Sequence, residues 1–191
     1  MRSAEYSRKT RETDITAHVN LEGTGIAGIS TGIKFLDHML TSLATHSLID
    51  IEINAVGDLG HHIAEDTALV LGEALRLAVQ QDKRITRFAD ATVPMDEALA
   101  SCSIDMGGRP YHVIDLGLMN PMTEDIANED ITHFMETLAT SLRANIHIQV
   151  MYGSNDHHRA EAAFKALARC LRMASSIDPR RVDSPSNKGV L

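Results

Sequence analysis

The sequence predicts an α+β fold made of an internally duplicated unit, antiparallel strands packed on helices, with pseudo-two-fold symmetry. Three observations carry that reading. A His-His-x-x-Glu cassette occurs twice, as His61-His62-Ile63-Ala64-Glu65 and as His157-His158-Arg159-Ala160-Glu161. Upstream of each, the run from His38 to Thr45 matches the run from His133 to Thr140, sharing His, Leu, Ala and Thr at equal spacing. Downstream, Leu71, Leu75, Arg76 and Ala78 reappear as Leu167, Leu171, Arg172 and Ala174. A repeat on this scale places the two halves at 1–90 and 91–191, the second closing in an irregular tail.

Each element follows from its pattern. Thr13 to Glu22 alternates, with Ile15, Ala17, Val19 and Leu21 on one side, which predicts a half-buried strand. Gly23, Gly25 and Gly28 read as turn residues. Residues 33–46 are helical by the stripe Ile33, Leu36, Leu40 and Leu43, and 49–56 alternates as a strand ending at Gly57-Asp58. A helix is expected from about His61 to Gln80. Short strands are expected at 87–93, 97–106 and 111–117, divided by Pro94 and by the turn Gly107-Gly108-Arg109-Pro110. The stretch 119–130 reads as a loop. A helix from about Glu129 to Ala144, a strand at 145–152 and a helix over 157–176 complete the body.

Composition excludes several classes. At 191 residues and 43% hydrophobic the chain buries a real core. A net charge of −8 argues against nucleic acid, and 4% aromatics with no Trp argue against stacking surfaces for bases. No apolar run reaches membrane-spanning length, and the start Met1-Arg2-Ser3-Ala4-Glu5-Tyr6 lacks a signal-peptide core, so a cytoplasmic protein without membrane partners is expected. Cys102 and Cys170 fit no metal spacing and are expected as buried thiols.

The cassettes carry the chemistry. In a helix the first His and the Glu lie four residues apart on one face, imidazole beside carboxylate, a donor set for divalent transition metals. With one upstream His per half, the candidate ligands are His38, His61, His62, Glu65, His133, His157, His158 and Glu161, enough for two sites of four. One helical turn cannot aim adjacent histidines at one ion, so each pair is expected to serve two different sites, completed by the other half or by a neighbouring subunit. Arg87, Arg109, Lys165, Ser186 and Lys188 form an anion-binding pattern for a phosphate. Glu12, Asp96 and Glu97 are carboxylates at strand starts. On the residues alone, a dinuclear metallohydrolase acting on a phosphorylated or acyl substrate and a non-catalytic metal-storage or assembly protein both stay open.

Six segments in order narrow this: FLDHML (35–40), HHxxED (61–66), DEALA (96–100), GRPY (108–111), HHxAEAAFKALAR (157–169) and SNKGVL (186–191). Together, across essentially the whole chain, they resemble the imidazoleglycerol-phosphate dehydratase family of histidine biosynthesis. The resemblance implies a duplicated α+β unit, two divalent metal ions per active site, manganese foremost, on the eight ligands above, and trimers assembling into a 24-subunit particle with shared sites. It also implies phosphate contacts at Arg87, Arg109, Lys165, Ser186 and Lys188, beside Asn187, where Ser or Thr is usual. Glu12 matches a catalytic carboxylate that also meets the substrate, and His46 a further substrate-side His. Leu59-Gly60 and Ser42 depart from the pattern, but none of the eight ligands does. The implied reaction takes water from a small phosphorylated imidazole, imidazole glycerol phosphate, to give imidazole acetol phosphate through a metal-stabilised imidazolate. Glu12 is the foremost proton carrier there, with Asp96 and Glu97 behind it.

Overall fold

The computed structural model describes residues 1–186. Ten strands and four helices run in the order β1 (Ser3–Lys9), β2 (Thr13–Asn20), β3 (Ala27–Ser30), α1 (Lys34–Ser47), β4 (Asp50–Gly57), α2 (Gly60–Val79), β5 (Phe88–Met95), β6 (Ala98–Asp105), β7 (Tyr111–Asp115), β8 (Met122–Thr123), β9 (Ile126–Ala127), α3 (Asn128–Leu142), β10 (Asn145–Tyr152) and α4 (Asp156–Ser175). Two four-stranded sheets have equivalent orders, β1-β2-β4-β3 and β5-β6-β10-β7. Both are mainly antiparallel, but β3 runs parallel to β4 and β7 parallel to β10. Those parallel pairs arise because α1 and α3 act as crossovers between the paired strands.

The strands present one apolar face inward. Ile15, Ala17 and Val19 of β2 lie beside Ile51, Ile53 and Ala55 of β4, all buried. Helices α1 and α2 cover the first sheet, and α3 and α4 cover the second. The helices then pair across the halves, α2 with α3 and α1 with α4, so they lie between the two sheets around one continuous core. The boundary expected after residue 90 falls inside β5.

Local chemistry sets the entry to the site. Asp125 accepts from the backbone N–H groups of Lys34 and Phe35 at 2.8 and 2.9 Å, capping α1 from a distant loop. Arg8 pairs with Asp66 at 2.5 Å, and the Thr13 hydroxyl donates to the same carboxylate, tying the β1–β2 hairpin to α2. Glu12, in that hairpin turn, is thereby held near the start of α2. Cys102 and Cys170 are buried, with the Cys170 thiol donating to the Cys102 carbonyl at 3.3 Å.

Four local expectations are corrected. Residues 3–9 are a strand, missed because an edge strand written Ser-Ala-Glu-Tyr-Ser-Arg-Lys carries too few apolar residues to alternate. Gly28 lies within β3, not in a turn. Pro94 does not divide strands but lies within β5, an edge strand whose outer side needs no ladder donor. The loop 119–130 contains the short β8–β9 hairpin.

Gly72 decides how closely α2 and α3 approach. A Cβ there would meet the Ser141 Oγ at 2.0 Å and the Leu142 backbone nitrogen at 2.9 Å. Gly72→Ala should therefore lower stability by about 1–3 kcal/mol through overpacking, although alanine is the better helix former by about 1 kcal/mol. Urea unfolding reads the change. A midpoint equal to or above the parent's would mean that the crossing has slack.

Candidate metal centre

The cassettes open α2 and α4, and helical spacing does what the sequence implies. In α2, His61 Nε2 lies 4.0 Å from Glu65 Oε2; in α4, His157 Nε2 lies 3.4 Å from Glu161 Oε2. Each pair is completed from the opposite half. His133 of α3 brings Nε2 to 3.4 Å from Glu65 Oε1, its ring stacked on His61 at 5.6 Å between centroids. His38 of α1 brings Nε2 to 3.6 Å from Glu161 Oε2. Two clusters result: His61, Glu65 and His133, and His38, His157 and Glu161, the ligand atoms within each all lying within 4.8 Å of one another.

The other ring nitrogens are mostly held by carboxylates. His61 Nδ1 donates to the buried Asp130 at 2.6 Å, and His157 Nδ1 donates to the exposed Glu124 at 3.1 Å. Glu136 approaches His133 Nδ1 at 3.8 Å and also His112 Nδ1 at 3.8 Å. A carboxylate accepting from Nδ1 fixes the tautomer and leaves the Nε2 lone pair free to ligate. The donor set therefore fits a divalent transition metal: paired imidazole nitrogens with one carboxylate, oriented from behind.

His62 and His158 fall outside both clusters, as adjacent helical residues must. His62 Nδ1 donates to Asp58 at 2.8 Å, with Glu12 Oε2 at 4.0 Å. His158 Nδ1 donates to Glu97 at 2.6 Å, with Asp96 Oδ2 at 3.6 Å from its Nε2. The Asp58 bond raises the His62 pKa, as the Asp130 bond raises that of His61 and the Glu97 bond that of His158. Glu97 also accepts from the backbone of Ser154 and Asn155 at 3.0 and 2.9 Å, and with His158 as the leading cause its pKa falls to about 2.

The remaining expected residues divide into groups. Lys165 Nζ pairs with Glu161 Oε1 at 2.8 Å, bordering the second cluster. His46 stands near by; desolvation and the charges of Lys165 and Arg169 lower its pKa against the opposing pull of Glu161. Arg87 forms a fork on Asp105 at 2.6 and 3.0 Å and donates from Nη1 to the Pro185 carbonyl at 2.7 Å, which brings it beside Ser186. Arg109 is exposed in the turn after β6. Asn187 and Lys188 lie outside the described residues.

Sequence reasoning missed the supporting carboxylates. Asp58, four residues before His62, and Glu136, three after His133, had a helical-spacing signal; Asp130 and Glu124 had none, since only tertiary packing brings them in. It also missed the cavity of about 430 Å³ at the second cluster, lined by Lys34, Phe35, His38, Glu124, Asp125 and His157. Phe35 sets its ring edge against His157 at 4.9 Å between centroids. Among the described residues no helix is long and apolar enough to cross a membrane.

Known proteins match this chain along its length. The family model described as imidazoleglycerol-phosphate dehydratase matches residues 31–171. A protein of that name from Dehalococcoides mccartyi (strain CBDB1) is 51% identical over 191 residues, covering 100% of this chain and 97% of that protein. One from Methanoculleus marisnigri is 51% identical over 195 residues, covering all of both. The crystal structure of the Pyrococcus furiosus enzyme in complex with (S)-C348 has a TM-score of 0.83 at 40% identity, covering 97% of this chain and 99% of that one. The Staphylococcus aureus enzyme has a TM-score of 0.84 at 31% identity, covering 91% and 99%. The chain thus belongs to the imidazoleglycerol-phosphate dehydratase family and is a hydro-lyase of histidine biosynthesis.

Proposed function

We propose that the enzyme is metal-dependent, that it converts imidazole glycerol phosphate to imidazole acetol phosphate in the cytoplasm, and that each repeat unit contributes ligands to both metal positions. The observation carrying this reading is the reciprocal pair of His/Glu/His clusters. His61, Glu65 and His133 hold one ion and His38, His157 and Glu161 the other. When bound, two divalent cations, manganese in this reading, supply Lewis acidity to the nitrogens of the substrate imidazole and stabilise negative charge in that ring.

The chain's own residues do the rest. Glu12 makes no side-chain hydrogen bond among the described residues, and its Oε2 is 4.0 Å from His62 Nδ1. It is free to carry the proton that dehydration moves between carbon, departing hydroxyl and solvent. Glu97 has both oxygens engaged, so we assign it the holding of His158, and Asp96 stays a secondary candidate at 3.6 Å from that ring. Arg87, aligned by Asp105, joins Arg109, Lys165, Ser186, Asn187 and Lys188 around the phosphate, with His46 on the same side. Gripping a remote phosphate holds the reacting carbon in place and directs binding energy to the chemical step.

His62 and His158 are aimed away from their own clusters, and we assign them to ions held mainly by neighbouring subunits in trimers and a 24-subunit particle. Exposed Phe88, Tyr111, Val113, Met151 and Tyr152 on and around the second sheet support self-association.

Metal-loaded protein incubated with imidazole glycerol phosphate should yield the ketone; protein that keeps its metal and yields none would overturn the reading. Glu12→Gln should retain metal and particle size yet lose roughly 10²–10⁴-fold in turnover, and full turnover would remove Glu12 from the chemistry. Chelation should abolish activity and shrink the particle on a sizing column. A particle of unchanged size would place every ligand within one subunit. Lys188→Ala should mainly raise KM, so an unchanged KM counts against the clamp.

A further inference from the structure

The two clusters are related by the repeat, yet their surroundings differ at corresponding positions. His38 corresponds to His133, so Phe35, three residues earlier, corresponds to Asp130. Glu65 corresponds to Glu161, so Leu69 corresponds to Lys165, each four residues further on. The first cluster therefore has a buried carboxylate behind its cassette histidine, where the second has a phenylalanine edge. The second has an ammonium on its carboxylate at 2.8 Å, where the first has a partly buried leucine.

We infer that the two metal positions are unequal: the His61–Glu65–His133 position holds its ion tightly, and the His38–His157–Glu161 position holds its ion loosely and exchanges it. The inference rests on the metal-dependent reading above. Three contacts carry it. Asp130 locks His61 in the ligating tautomer from a buried position, while the carboxylate on His157 Nδ1 among the described residues is the exposed Glu124, at a longer 3.1 Å. His133 is approached from behind by Glu136, whereas the only carboxylate paired with His38 among the described residues is Glu161. Among the described residues Glu65 meets histidines alone, whereas an incoming ion must share Glu161 with Lys165. Burial opposes this order, since Glu161 is buried and Glu65 half-exposed. Burial raises the desolvation cost of any charge brought in, and the Lys165 ammonium on Oε1 already offsets the negative charge that Glu161 would present to an ion at Oε2.

Asp130 is then a positioning residue, acting through His61, and Lys165 tunes the second position. The test is graded chelation of the assembled, Mn²⁺-loaded protein, counting bound manganese per chain by atomic absorption. Two release steps are expected, one ion per chain persisting to at least roughly tenfold higher chelator. His133→Asn should abolish the persistent step and His38→Asn the early one. Asp130→Asn should weaken the persistent ion roughly ten- to a hundredfold, with partial recovery in Asp130→Glu and an apo-protein melting point close to the parent's. Leu69→Lys should loosen the persistent ion and Lys165→Met tighten the early one, two changes at partly buried positions that leave the buried Asp130 in place. A single release step, the opposite assignment in the histidine variants, or unchanged release in Asp130→Asn would overturn the ranking and leave metal dependence standing. Failure to bind manganese at all would sink the metal-dependent reading itself.

Discussion

Both clusters depend on the crossing of helices from opposite halves. Neither half can build a complete cluster alone, because α2 carries a His and a Glu but the third group sits on α3, and α4 likewise needs α1. The sheets orient the helices, but the α2–α3 contact sets the distance. Gly72 permits that contact by presenting no side chain to the Ser141 hydroxyl and the Leu142 backbone, and Ser141 donates in turn to the Leu69 carbonyl of α2 at 3.0 Å. A small residue at the crossing thus converts packing geometry into ligand geometry.

The histidines are held by charge as well as by packing. Asp58, Glu97, Glu124 and Asp130 each accept from a ring Nδ1, and Glu12 and Asp96 stand close behind. Gathering so many carboxylates in a chain of net charge −8 is unfavourable without a cation, since like charges crowd a small volume. Part of the cost is met within the protein, because the raised pKa values of His61, His62 and His158 let the rings share positive charge with their carboxylates. A bound ion would displace those protons, linking its affinity to pH and to the stability of the fold.

Much of the site was legible in the sequence because its contacts are local. The i, i+4 pairs His61–Glu65 and His157–Glu161 need only a helix, and helical periodicity is strong in both segments. The duplication was legible because equivalent helices keep equivalent apolar faces. What was not legible depends on partners distant in sequence. No spacing shows that His133 joins Glu65, or that Asp130 stands behind His61 at a separation of 69 residues. The edge strands β1 and β3 were missed for a related reason: an outer strand buries so little that its pattern barely alternates.

The differences between the halves have a physical logic. A two-fold arrangement of identical clusters suits a two-fold ligand, whereas an imidazole joined to a phosphorylated chain has no such symmetry. Under the proposed function, one cluster would therefore face the chain and the other would not. Lys165 and His46, both assigned to the substrate side, border the second cluster, and their counterparts by repeat are Leu69 and Ser141, which serve packing in the first. In the proposed reading, the same differences that would equip the second cluster for an anionic substrate put an ammonium on its candidate metal-binding carboxylate. In the proposed reading, phosphate arriving at Lys165 would draw that ammonium off Glu161 Oε1 and leave both carboxylate oxygens to the ion, which would couple substrate binding to completion of the second metal position through one side chain.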